Sequence, residues 1–148
     1  MKEKKKTDFD KFIREVQQEI IDEEKAIYSE KVIEEYNNPK NAGQMPAPDA
    51  FGVVKGSCGD TMEIYLKIDN DQIQEVMFMT DGCGTTIACG SMLTTMVKGK
   101  GIDAAMSITK DDLLNALDGL PEENLHCAAL AIGTLRKAIN SLHVKKDQ

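Results

Sequence analysis

Met62-Glu63-Ile64-Tyr65-Leu66-Lys67-Ile68-Asp69 sets the fold class, because Met62, Ile64, Leu66 and Ile68 alternate along it with Glu63, Tyr65, Lys67 and Asp69. A period of two sends successive side chains to opposite faces, so this stretch predicts a strand with one buried face. Asn70-Asp71 then reads as a turn, and Ile73, Val76 and Phe78 carry a further strand that ends near Thr80. Upstream, Phe51 and Val53 begin the same period from Ala50. Three antiparallel strands in a meander are the economical arrangement.

A sheet with a single apolar face needs a cover, and the rest of the chain supplies helices. Thr85 to Val97 presents Leu93, Met96 and Val97, and Leu125 to Leu142 presents Leu125, Ala129, Ile132, Leu135, Ile139 and Leu142. Between them, Ile108 to Leu117 reads as a helix capped by Thr109, with Asp111 and Asp112 in its first turn. Towards the N-terminus, Phe9, Phe12, Ile13, Val16, Ile20 and Ile27 recur at helical spacing from Thr7 to Ile27, with a capping-box-like start at Thr7 to Asp10. A shorter helix is expected from Ser29 to Asn37, and Pro39 to Asp49 reads as a mobile loop. The prediction is an α+β fold: a three-stranded antiparallel sheet covered on one face by helices, with an extra N-terminal helix. Residues 1–27 form a helical extension and residues 28–148 the main domain.

With 148 residues and 41% hydrophobic content, the chain has the size of one ordinary domain. It carries no run of about 18 apolar residues and no signal-like segment, so a soluble, cytoplasmic protein without membrane contacts is expected. A net charge of -7 argues against nucleic acid, since Lys2 to Lys6 is the only dense basic run. That run reads as a solvated terminus. Four cysteines without a secretory signal point to metal or redox chemistry instead of disulfides.

The cysteines differ in setting. Cys58 lies in Gly56-Ser57-Cys58-Gly59-Asp60, a loop between strands, where it could serve as a ligand or as a small buried hydrophobe with Asp60 forming the turn. Cys83, in Gly82-Cys83-Gly84, stands where a strand gives way to a helix; the partial positive charge there favours thiolate, which is both nucleophile and metal ligand. Cys89 is six residues on, about 120° round the helix, and fits a structural role better than a ligand's, with a back-up thiol as the alternative. His126 and Cys127 lie about 120° and 140° from the centre of the apolar stripe of their helix, off the core face. His143, near the end of that helix, reads as a C-terminal cation. Three thiolates with Asp60 or His126 would make a fourfold site for zinc or an iron-sulfur cluster. No Cys-x-x-Cys pair is present to preform half of such a site. Single cysteines from separate loops favour loading and release over storage.

These segments, from Tyr28 to Leu142, together resemble the U-type iron-sulfur cluster assembly scaffolds, the IscU/NifU N-terminal family. The likeness is carried by Tyr28-Ser29-Glu30-Lys31-Val32-Ile33, Asn38-Pro39-Lys40-Asn41, Cys58-Gly59-Asp60, Gly82-Cys83-Gly84 with Ile87-Ala88, Val97-Lys98-Gly99-Lys100, and Leu120-Pro121 leading to His126-Cys127. The resemblance implies a scaffold and sulfur acceptor, not an enzyme, with its three cysteines at one exposed end. A cysteine desulfurase would deliver persulfide sulfur, iron would bind, and a transient [2Fe-2S] cluster would pass to apo iron-sulfur proteins or carrier proteins. Cys58, Cys83 and Cys127 would be the cluster ligands, Asp60 and His126 exchangeable fourth ligands, and Cys127 the sulfur acceptor. Tyr28 and the segment after it would be mobile and contact partners.

The chain departs from the family in places. Leu120-Pro121-Glu122-Glu123-Asn124 stands where the family has Leu-Pro-Pro-Val-Lys, which counts against an Hsp70-type chaperone as partner. Asn124 takes the place of a lysine that could join the metal site. Cys89 and the N-terminal helix are additions. The alternative is a zinc-bound persulfide relay that builds no cluster, though the insertion usual in that branch between the second and third cysteine segments is missing. A zinc-stabilised interaction module is a third reading.

Overall fold

The structure is a computed structural model that describes residues 2–146, and the side chains of residues 8–142. His143, the Lys2 to Lys6 side chains and the Thr7 end of the capping box fall outside the described side chains. In chain order the elements are α1 (Lys2–Ile27), α2 (Glu30–Asn37), β1 (Ala50–Lys55), β2 (Thr61–Asp69), β3 (Gln72–Thr80), α3 (Gly84–Val97), α4 (Ile102–Met106), α5 (Lys110–Ala116), a single 3₁₀ turn (Glu122–Asn124) and α6 (Leu125–Lys146).

The strands form one antiparallel meander in the order β1-β2-β3. Asn70 and Asp71 both take positive φ, as a two-residue hairpin turn requires, so β2 turns directly into β3. Met62, Ile64 and Leu66 are fully buried, and so are Ile73, Val76 and Phe78 of β3. Ile73 and Val76 share a face although three residues apart, because the register shifts beside Lys67 and Ile68 and leaves Gln74 without an opposite residue.

Helices α3 and α6 cover the buried face. At Gly90 a Cβ would stand 2.5 Å from the Phe78 ring, so only glycine lets α3 lie this close to the sheet. Helix α2 is fastened to α3 through the buried Glu35, which accepts from Ser91 Oγ and pairs with Lys40 Nζ at 2.9 Å. Ser29 caps α2 through the Val32 amide and donates to the Leu117 carbonyl.

Several expectations change. Pro39 to Asp49 is no loose loop: Asn41 to Gly43 runs along the outer edge of β3, and Asp49 N donates to Leu66 O of β2 at 2.8 Å. Asn41 and Gly43 exchange backbone hydrogen bonds of 2.9 Å with Phe78, and Lys40 N donates to Ser91 Oγ. An edge strand has unpaired backbone groups, and this segment satisfies those of Phe78. Helix α1 begins at Lys2, before the expected Thr7 cap. The short α4 was not read from the sequence. Tyr65, placed on the open face by alternation, is nevertheless buried against Phe51, with ring centroids 5.0 Å apart.

Candidate metal and thiol site

The chemistry gathers at one end of the sheet, where the β1–β2 loop and the starts of α3 and α6 meet. The loop is closed by Gly56 N donating to Asp60 O at 2.7 Å and Gly59 N to Gly56 O at 3.0 Å; Gly59 has φ of 92°, a left-handed conformation that glycine adopts without strain. The turn leaves Cys58 exposed at its tip and carries Asp60 to the start of β2. Asp81 fastens the other side by accepting from Thr61 N at 2.8 Å.

Cys83 is the N-cap residue of α3 and is exposed. Burial of part of the side chain pushes its thiol up. The Thr86 amide, the Thr86 hydroxyl and the Thr85 amide outweigh that, so the net shift is downward, towards thiolate. No backbone amide makes a full capping bond to the sulfur, so the effect is one of local field as much as of a single hydrogen bond. Cys83 opens onto a shallow cleft of about 230 Å³ walled by Glu24, Tyr28, Tyr36 and Thr85. Burial and a hydrogen bond with Glu24 push the Tyr36 phenol up to about 12, so it stays protonated as a donor at neutral pH. The end of α1 is thus part of the site wall, a role the sequence did not suggest.

Cys127 lies in the first turn of α6 and is only 1% exposed, which corrects both its placement off the core face and the expectation of three cysteines at an exposed end. The stripe was centred too far round the helix. Ala129 is exposed, whereas Cys127, Ala131, Thr134 and Ala138 fall at i, i+4, i+7 and i+11 and are all buried between the sheet and α3. Burial pushes the Cys127 thiol up to about 11; the Thr86 hydroxyl eases this, and the charges of Cys83, Cys58 and Asp60 add to it. As placed, Cys127 is a neutral thiol. His126 Nε2 stands 3.6 Å from its sulfur.

The hub is Thr86, fully buried and absent from the sequence reading. Its Oγ1 lies 3.1 Å from Asp60 Oδ2, 3.3 Å from Cys127 Sγ and 3.8 Å from Cys83 Sγ. A residue three positions after an N-cap projects back towards it, so this spacing from Cys83 was the available signal. Gly82 permits the closure, since a Cβ there would stand 2.7 Å from Thr86 Cβ and 2.8 Å from Asp60 Oδ2.

Asp60, Cys83 and Cys127 are therefore drawn together around one hydroxyl, with Cys58 and His126 adjoining. Among the described residues, no three His, Cys, Asp or Glu side chains stand in metal-holding geometry. Three soft thiols, one carboxylate and one imidazole suit iron or zinc chemically, and binding all of them requires the donors to turn inward past Thr86. Cys89 is apart: it is fully buried on α3, and burial pushes its thiol well above the ordinary range.

Residues 27–148 match the family model described as the NifU-like N terminal domain. The chain is 44% identical over 114 residues to the iron-sulfur cluster assembly scaffold protein IscU 1 of Archaeoglobus fulgidus, covering 76% of this chain and 74% of that protein. It is 38% identical over 125 residues to the iron-sulfur cluster assembly scaffold protein IscU of Escherichia coli, covering 81% of this chain and 97% of the other. Among solved structures, the N-terminal NifU-like protein from Brucella abortus superposes with a TM-score of 0.63 at 22% identity, over 80% of this chain and 96% of that one. At that identity the likeness bears on the fold alone.

Proposed function

The chain belongs to the NifU-like N-terminal domain family of U-type iron-sulfur cluster scaffolds, and from that membership we propose that it assembles iron-sulfur clusters for transfer to other proteins. The observation that carries this reading is the convergence of Asp60, Cys83 and Cys127 on Thr86, with Cys58 and His126 beside them. Iron and sulfide are cargo here, so the site has to bind them and let them go. Cys58, Cys83 and Cys127 hold a [2Fe-2S] cluster, with Asp60 or His126 as the exchangeable fourth ligand. The exchangeable fourth position gives a recipient protein its point of entry.

Sulfur arrives as the persulfide of a cysteine desulfurase. An acceptor thiolate attacks the terminal sulfur, the desulfurase S–S bond breaks, and the desulfurase cysteine leaves as thiolate. Cys83 is exposed and already shifted towards thiolate, and it can accept sulfur from the structure as described. Cys127, the acceptor implied by family likeness, is buried, so sulfur reaches it once the first turn of α6 opens against a bound desulfurase. Recipients are apo iron-sulfur proteins or carriers. No described helix is long and apolar enough to cross a membrane, in keeping with a proposed cytoplasmic setting.

The test is anaerobic incubation with ferrous iron, cysteine and a cysteine desulfurase. Visible absorption of a [2Fe-2S] chromophore should appear, and Cys58→Ser, Cys83→Ser and Cys127→Ser should each abolish or bleach it. A protein that stays colourless while retaining zinc would replace this reading with the zinc-bound persulfide relay.

A further inference from the structure

Helix α1 is the one long helix whose apolar side chains the fold does not use. Phe9, Phe12, Ile20 and Ile27 are 62%, 59%, 50% and 59% exposed, and Ile13 and Val16 are exposed beside them. In sequence these residues follow a helical period of three and four, which makes a continuous apolar stripe. Scattered exposed leucines need no explanation, but an apolar stripe along a 26-residue helix marks a contact surface.

The charges on the same helix say what covers it. Lys2 to Arg14 carries six basic and three acidic residues, whereas Glu15 to Ile27 carries five acidic and one basic. This polarity runs against the helix dipole, which favours acidic residues near the N-terminus and basic ones near the C-terminus. Stability of the lone helix therefore does not account for it. An antiparallel neighbour of the same sequence does: the basic half of each helix lies along the acidic half of the other, and the two dipoles oppose. The boundary between the halves, at Arg14 and Glu15, falls inside the apolar stripe, so stripe contact and charge contact occur together. A parallel pair would set like charges side by side.

We infer that α1 is a self-association surface, through which two copies of the chain pair antiparallel about a two-fold axis. Such an interface is closed and ends at the dimer. Because Glu24, in the last turn of α1, and Tyr28, just past its end, wall the Cys83 cleft, the pairing also fixes the wall of each thiol site.

The experiment is sedimentation equilibrium on the full chain, metal-free and reduced, at low and high salt. A dimer is expected whose dissociation constant rises at least about tenfold for Phe12→Asp or Ile20→Asp, with the far-UV spectrum and melting temperature of the main domain unchanged. Added salt should weaken it as well. Lys11→Glu/Arg14→Glu and Glu19→Lys/Glu23→Lys should each impair pairing alone and recover it as a mixed dimer. The inference is overturned if the chain is monomeric throughout, if the dimer ignores the Phe12 and Ile20 substitutions, or if the mixture fails to pair. It is likewise overturned if a monomeric chain co-sediments with phosphatidylglycerol vesicles through those side chains, which would assign the stripe to a lipid surface.

Discussion

Cys83 and Cys127 both stand at the start of a helix packed on the same sheet, yet their thiols are driven in opposite directions. At Cys83 the Thr85 and Thr86 amides and the Thr86 hydroxyl overcome partial burial and the thiol moves towards thiolate. At Cys127 burial dominates and the thiol is pushed up to about 11, although the same Thr86 hydroxyl reaches it. A helix N-terminus thus gives a reactive cysteine only where the side chain keeps its access to water. One hydroxyl touches both sulfurs, so the two settings are coupled and can be pulled apart by substitution.

The largest expected effect is the difference in reactivity itself. With iodoacetamide at neutral pH, Cys83 should be alkylated at least about a hundredfold faster than Cys127, from thiolate fraction alone. As pH rises, the Cys83 rate should level off once the pH passes its lowered pKa, whereas the Cys127 rate should keep climbing towards pH 11. Peptide mass spectrometry of timed samples reads both rates, and equal rates would show that the first turn of α6 opens freely. Next in size is Gly82→Ala. The added Cβ drives Thr86 and Asp60 apart, and overpacking of this kind should cost about 1–3 kcal/mol in urea unfolding while narrowing the gap between the two thiols.

The fold was legible in the sequence where periodicity was strong. Alternation from Met62 to Ile68 and the Asn70-Asp71 turn specified the meander, and Met62, Ile64 and Leu66 are buried where that alternation put them, Tyr65 being the exception. Cys83 was legible for a similar reason, because a glycine-flanked cysteine at a strand-to-helix change has few other local arrangements. Cys127 was not. Helix α6 packs against both the sheet and α3, which broadens its buried face beyond a single stripe, and the large side chains used to centre that stripe gave no weight to Ala131 and Ala138. Thr86 escaped because its importance comes from three segments meeting, a property no single segment carries. The course of Asn41 to Gly43 along β3 was hidden likewise, since proline and glycine announce a turn without saying which strand edge it will cover.

Thr86→Val tests the coupling between the two sulfurs with a side chain of nearly the same shape. Loss of the hydroxyl removes a contribution that holds both thiols down, so alkylation of Cys83 should slow severalfold and that of Cys127 should fall further. Asp60 loses its partner too, and stability should drop by about 1 kcal/mol. Thr86→Ser should restore both rates, which a purely steric defect would not allow.

The smallest effect is expected at Cys89, and it separates burial from membership of the site. Cys89 shares α3 with Cys83 and shares full burial with Cys127, and its thiol is pushed up first by that burial and then by the charges of Cys127 and Cys83. If accessible donors around Thr86 define the site, Cys89 contributes packing and nothing else. Cys89→Ala should then cost on the order of 1 kcal/mol in urea unfolding, the loss of one small buried group. Alkylation of Cys83 and cluster yield on reconstitution should stay at the wild-type level. A fall in cluster yield larger than the loss of folded protein would make Cys89 a fourth working thiol.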